Sequence, residues 1–192
     1  MPVLCLIIFQ SFPVNLDVLM IINIFAFSLS VLFTIFIIYF FFMVYSNLSG
    51  APFILTSNAR LSKVLELIKL PNGSKIAELG SGNGKVVATL TQKGYFVTGF
   101  EINPFLVLLA NLKIRKLNLQ NNCKIYWKSF WNVDLSSFDA IYVYGIPHIV
   151  DRLEKKIVTE CKSNTYIISI GFHFKNLIKI SKGDGVTIYQ KQ

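Results

Sequence analysis

Residues 77–87 read AELGSGNGKVV. Gly80, Gly82 and Gly84 stand between two apolar runs, and Glu78 lies two residues before the first glycine. Glycines at such a turn let the backbone come close to a ligand. Different chemistries share this look. A phosphate-binding P-loop needs GxxxxGK[ST]; Lys85 follows Gly84, but Leu79 and Val86 occupy the places of the first glycine and the metal-binding hydroxyl. A dinucleotide turn needs GxGxxG; Gly80 and Gly82 fit, but the third glycine comes one residue early and Lys85 takes its place. Glu78 would also repel a pyrophosphate. It can instead accept from the ammonium of a zwitterionic amino acid. A second acid, Glu101, closes the next predicted strand, where a carboxylate can accept from both hydroxyls of a ribose. Amino acid, ribose and no phosphate describe S-adenosylmethionine. The pattern assigns cofactor binding to Glu78, Gly80, Ser81, Gly82, Gly84, Glu101 and Ile102. The competing reading is a plain turn flanked by surface acids.

These residues need a scaffold, and the pattern around them supplies one. Ser57 or Asn58 caps a helix that runs to about Leu70. KIAEL (75–79) reads as a strand, and KVVATLTQKG (85–94) as a helix closed by Gly94. YFVTGFEI (95–102) is a second strand, and Asn103-Pro104 opens a helix to about Leu117. Strands follow at 123–129 and 138–145, then an amphipathic helix at 148–162 with Asp151, Arg152, Lys155 and Lys156 off its apolar face. A fifth strand covers 164–174, and a short strand pair surrounds SKGDG (181–185). Alternating strands and helices predict an α/β, doubly wound, mostly parallel sheet. Ligands in such sheets bind at the carboxyl ends of the strands, which is where the glycine turn falls.

The first 59 residues differ from the rest. From Val18 to Ala59 no side chain is charged, and residues 18–46 are almost wholly Leu, Ile, Val, Phe and Met. About 20 such residues cross a bilayer core of about 30 Å. One transmembrane helix is therefore expected over 18–46, after a short N-terminal segment (1–17) and before a linker (47–57) and a catalytic domain (58–192). No basic region precedes the apolar run, so a cleaved signal peptide is not expected. All 19 Lys and Arg lie after residue 59 with nine of the ten acids, a net +10. That bias puts the domain on the cytoplasmic face, or the matrix face of an organelle, beside anionic head groups. The charge suits nucleic acid as well, but a membrane anchor confines the domain away from most RNA. Cys5, Cys123 and Cys161 are scattered, which argues against a zinc site and a disulfide framework. No metal site is expected.

The sequence resembles the class I, seven-strand, S-adenosylmethionine-dependent methyltransferases over about residues 55–190. PFILTS (52–57), ELGSGNGKVV (78–87), GFEINPFLV (99–107), SFWNV (129–133) and YGIPHIVDRLEKKI (144–157), after one membrane helix, are similar to the membrane-anchored mitochondrial protein-lysine methyltransferases and their prokaryotic relatives. Known members of that group methylate lysines on the adenine-nucleotide carrier and on the membrane-ring subunit of ATP synthase. The resemblance implies a Rossmann-like fold, S-adenosylmethionine as cofactor and a membrane-protein substrate. It places Ser129 at the adenine, where such enzymes usually carry an acid. It places Tyr144, Gly145 and Pro147 at the acceptor slot. The acid/asparagine-Pro-Pro-aromatic motif of amino-group methylation is absent there, and Gly145-Ile146-Pro147 stands in its place.

A lysine acceptor must also shed its proton, and an apolar, aromatic-lined slot lowers its pKa. His148 reads as a base or as a helix start, His173 as packing within the fifth strand, and Thr56 and Ser57 as a cap or a closure of the cofactor site. The leading expectation is a membrane-tethered methyltransferase acting on a protein lysine near the membrane surface. The alternatives are a lipid, small-molecule or RNA methyltransferase, or a cofactor-binding module without catalysis. Oligomeric state is not legible.

Overall fold

Asn15 starts the first helix: its side-chain oxygen accepts from the N–H groups of Asp17 (2.9 Å) and Val18 (3.4 Å). The computed structural model describes residues 15–49, 56–145 and 147–192. The expected N-terminal segment up to residue 14, most of PFILTS, and Ile146 lie outside the described residues. The chain divides into two compact units, Met1–Phe41 and Phe42–Gln192.

Helix α1 covers Leu16–Ser49, beyond both ends of the expected span. At 1.5 Å per residue its 34 residues extend about 51 Å. The segment Leu16–Tyr45 has a mean hydropathy of 2.6 and is long and apolar enough to cross a membrane. Three of its hydroxyls pair within the helix: Ser28 donates to the Ile24 carbonyl, Ser30 to Phe27 and Thr34 to Ser30, at 2.8–2.9 Å. Such internal pairing is what an apolar surrounding demands.

The second unit alternates as the sequence predicts. Helix α2 (Asn58–Leu67) is capped by Ser57, whose hydroxyl accepts from the Arg60 N–H. Then come β1 (Lys75–Leu79), α3 (Lys85–Gln92), β2 (Phe96–Glu101), α4 (Pro104–Lys116), β3 (Cys123–Trp127), β4 (Ala140–Tyr144), α5 (Val150–Glu160), β5 (Tyr166–Ile170), β6 (Ile178–Gly183) and β7 (Val186–Gln190). Asn103 caps α4 by accepting from Phe105 and Leu106, with Pro104 at its first position. The sheet order is β3-β2-β1-β4-β5-β7-β6, parallel from β3 to β5 and antiparallel at β7. Strand order reverses between β1 and β4, so the turn after β1 opens at the switch point.

Alternation along the strands divides the core. Ile76, Tyr142 and Ile168 pack with Leu61 and Val64 of α2, Val87 and Leu90 of α3, and Ala110 and Ile114 of α4. Ala77, Leu79, Ile141 and Ile167 face the other way, toward Leu153 and Ile157 of α5. Both of those α5 side chains are fully buried; truncating either to Ala would cost about 2–5 kcal/mol.

Several boundaries differ from expectation. Helix α2 stops at Leu67 because Ile68 turns extended ahead of Pro71. Strand β3 ends at Trp127, and β5 ends at Ile170, where Gly171 adopts φ +86°. His173 is thus outside the strand, and its Nδ1 lies 3.1 Å from the Tyr189 hydroxyl. His148 sits exposed in a 3₁₀ turn, Pro147–Ile149, that precedes α5. Off the apolar face of α5, Lys156 donates from its ammonium to the Val133 carbonyl (2.7 Å) and to Glu160, and ties α5 to the segment after β3.

Candidate functional site

The turn after β1 is built by glycines in left-handed conformations: Gly80 at φ +86°, Gly82 at +52° and Gly84 at +70°. The N–H groups of Gly80 and Ser81 donate to the Phe100 carbonyl at 2.9 and 3.0 Å, which ties the turn to β2. A Cβ at Gly84 would lie 2.9 Å from both Ala110 Cβ and Ile125 Cδ1, so helix α3 can start there only without a side chain. A Cβ at Gly80 would meet nothing within 4 Å, so the backbone there faces open space. Gly99 makes room for Ser81, whose Cβ would lie 2.7 Å from a Cβ at that position.

Glu101 ends β2 and organises the site. One carboxylate oxygen accepts from the Gly82 N–H and the other from the Asn103 N–H, both at 2.8 Å. Burial raises its pKa, and the surrounding backbone N–H groups pull the other way. Each oxygen keeps a lone pair for a further donor.

Glu78 shares a strand register with Gly99 and Tyr142 on the α2–α4 side of the sheet. It is 4% exposed. Burial holds its pKa well above the usual carboxylate range, against the Val87 N–H, and the neighbouring Glu101 adds to the rise. Burial, then Glu78, raises the pKa of Tyr142 as well. Among the described residues Glu78 Oε2, Ser81 Oγ and Asn103 Nδ2 are buried without a hydrogen-bond partner. Buried polar groups are normally paired. These three surround one turn and offer a carboxyl oxygen, a hydroxyl and an amide donor.

Basic side chains brace the turn from outside. Lys85 donates to the Thr56 carbonyl (2.7 Å), and Lys113 donates to the Asn83 carbonyl (2.8 Å). Burial and the proximity of Lys85 lower the pKa of Lys113. The Thr56 hydroxyl lies 3.3 Å from that of Tyr142. Thr56 therefore does more than precede the capping Ser57: it joins the segment before α2 to the floor of the turn.

Half-buried Ile102 follows Glu101, and its carbonyl accepts from the Trp127 indole at 3.0 Å. Half-buried Ser129 follows β3 and heads the 3₁₀ turn Phe130–Asn132. Tyr144 ends β4, next to β1 in the sheet, and Gly145 follows it. Gly145 adopts φ +64° and donates to the Ile170 carbonyl at 2.8 Å; Pro147 is exposed. The Tyr144 hydroxyl accepts from the Arg60 guanidinium, whose centre lies 5.5 Å from the ring centroid.

The expected residues thus sit at the carboxyl ends of β1, β2, β3 and β4. Sequence reasoning missed Arg60, Lys113 and Gly99. Arg60 meets a partner 84 positions away, and Lys113 one 30 positions away, which no local spacing reveals. Lys85 was visible only as a P-loop fragment.

Residues 78–181 match the family model described as the ANTKMT methyltransferase domain. The chain is 27% identical over 123 residues to the human lysine N-methyltransferase of the ATP synthase c-subunit, covering 64% of this chain and 52% of that protein. It is 25% identical over 147 residues to a protein-lysine N-methyltransferase of Saccharolobus islandicus, covering 72% of this chain and 91% of that one. The chain spans about half the length of most of the curated relatives it matches. Its fold is similar to an RNA methyltransferase from Salinibacter ruber solved with S-adenosyl-L-homocysteine, at TM-score 0.66 and 21% identity over 72% of this chain and 92% of that one.

Proposed function

Starting from the fact that this chain belongs to the ANTKMT methyltransferase domain family, we propose that it binds S-adenosylmethionine at the Gly80–Gly84 turn and methylates a protein lysine near a membrane surface. One observation carries the cofactor assignment. A buried carboxylate, Glu78, keeps an unpartnered oxygen beside a turn of left-handed glycines. An α-ammonium satisfies both its charge and its free lone pair. A pyrophosphate satisfies neither. Glu101 would accept from the ribose, Ile102 and Ser129 would border the adenine, and Gly80 would leave room for close approach. When bound, the cofactor supplies a methyl group already activated on a sulfonium.

The chain's own residues then need to position a neutral amine. Tyr144, Gly145 and Pro147 border the acceptor slot in this reading. Arg60 holds the Tyr144 hydroxyl and brings a fixed positive charge to the same place. A neighbouring cation disfavours an ammonium, so Arg60 assists release of the lysine proton to solvent.

Three features support membrane work. The segment Leu16–Tyr45 can span a bilayer, and the residues after position 59 carry a net +10. The human relative is named for a lysine on part of ATP synthase. In this reading the chain crosses the membrane once, with its domain on the Lys/Arg-rich side. The tether concentrates nearby targets and dilutes dispersed ones.

Calorimetry on the full chain tests the cofactor. S-adenosylmethionine should bind, NAD should not, and Glu78→Gln should weaken binding at least about tenfold, the loss of roughly one charge-assisted bond. Binding of NAD in preference, or unchanged affinity in a folded Glu78→Gln protein, would overturn the assignment.

A further inference from the structure

Helix α4 carries apolar side chains on both faces. Ala110 and Ile114 are buried, Val107 packs against them, and Asn111 donates to the Ile125 carbonyl. These residues, spaced by three and four, form the inner face. On the opposite side stand Leu108, Leu109 and Leu112, which are 59%, 55% and 52% exposed. A helix on a soluble domain normally turns charge outward there. Beside it Trp127, at the end of edge strand β3, is 63% exposed. Lys116 falls on the same outer stripe as the leucines, and Lys113 and Arg115 share the last turn. Leucines flanked by a tryptophan and by long cations make up the composition of a membrane–water interface.

A second observation points to the same occupant. Phe42 belongs to this compact unit, and its ring packs edge-on against Phe105 of α4 (6.4 Å) and against Trp127 (6.3 Å). Phe42 also falls within the apolar segment Leu16–Tyr45. Residues 42–45 of the apolar segment thus belong to the same compact unit as this face.

We infer that the outer face of α4, with Trp127, docks on an anionic bilayer. Leu108, Leu109 and Leu112 enter the boundary between head groups and acyl chains, and Arg115 and Lys116 meet lipid phosphates. The inference rests on the reading of Leu16–Tyr45 as a membrane segment. A tether alone leaves the domain free to turn; this second contact fixes which side faces the lipid. Glu101 lies three residues before the start of α4, so docking also fixes the orientation of the cofactor turn.

The test uses the full chain in vesicles with bromine-labelled acyl chains. The protein has two tryptophans, so Trp131→Phe leaves Trp127 as the reporter. Its emission should shift to the blue and lose intensity, more in anionic than in neutral vesicles. The double variant Leu108→Glu/Leu112→Glu should reverse both changes. Trp127 emission insensitive to brominated lipid would overturn the proposal. So would quenching that survives the double variant, because the span alone would then explain it. Hydrogen exchange on the unmodified chain is a second readout: α4 should exchange more slowly in anionic than in neutral vesicles. Equal exchange contradicts the docking, and slowing that follows protein rather than lipid concentration assigns the face to a second copy instead. Carbonate extraction separates the two levels. Release of the chain would sink the membrane reading itself, whereas a retained chain with unquenched Trp127 would sink only the docking.

Discussion

Replacing Glu101 by Gln tests whether one carboxylate holds the cofactor turn together. The native side chain accepts from Gly82 on one oxygen and from Asn103 on the other, both at 2.8 Å. Glutamine keeps the shape and one acceptor oxygen, but its NH₂ would face the second backbone N–H. At least one charge-assisted hydrogen bond is lost, about 1.5–3 kcal/mol. For a chain of this length each kcal/mol moves the melting temperature by about 2–4 °C, so the expected fall is about 3–12 °C. The lower part of that range is favoured, because burial already penalises the Glu101 charge. Thermal unfolding in detergent, followed by tryptophan emission, measures it. Glu66→Gln is the control: its carboxylate is 65% exposed in its pair with Lys63, and such surface pairs contribute little. An unchanged melting temperature for Glu101→Gln, or an equal fall for both variants, would refute the reasoning.

Glu78 gives a pH signature. Burial raises its folded pKa, so the folded chain binds the proton more tightly than the unfolded one. Its contribution to stability is full below the ordinary value of 4.5 and is lost as pH rises through the raised value. Urea midpoints of the native protein should therefore fall with rising pH relative to Glu78→Gln; parallel profiles would contradict the burial. Gly99→Ala adds a Cβ 2.7 Å from Ser81 Cβ and should cost about 1–3 kcal/mol by overpacking, read from the same urea curves. Tyr144→Phe removes the oxygen that accepts from Arg60 and should lower kcat while leaving the Kd for S-adenosylmethionine unchanged; a matched loss of cofactor affinity would move Tyr144 out of the acceptor slot.

The sheet was legible because its signals are local. Asn103-Pro104 marks a helix start within two residues, and KIAEL followed by glycines marks a strand feeding a turn. Glu78 and Glu101 were legible as a pair because each lies at or beside the carboxyl end of a strand, and β1 and β2 are neighbours. What the sequence hid depends on long side chains crossing the fold. The Lys85–Thr56 and Lys113–Asn83 contacts span 29 and 30 positions and follow from packing α3 and α4 on one face. The partners of Lys156 were hidden for the same reason: its aliphatic stem lets the ammonium reach carbonyls of another segment. Strand ends were overestimated where a single glycine, such as Gly171, turned the chain. The helix opened by Asn103-Pro104 was visible, but the outward position of Leu108, Leu109 and Leu112 needed the packing.

The most direct measurement is transfer of label from radioactive S-adenosylmethionine into isolated native membranes, with products separated into protein, lipid and RNA. The full chain should label protein, acid hydrolysis should release methyl-lysine, and a chain beginning at Gly50 should do so more slowly while binding the cofactor equally well. Label recovered mainly in lipid or RNA would contradict lysine as the acceptor, and equal rates for the two chains would contradict the tether.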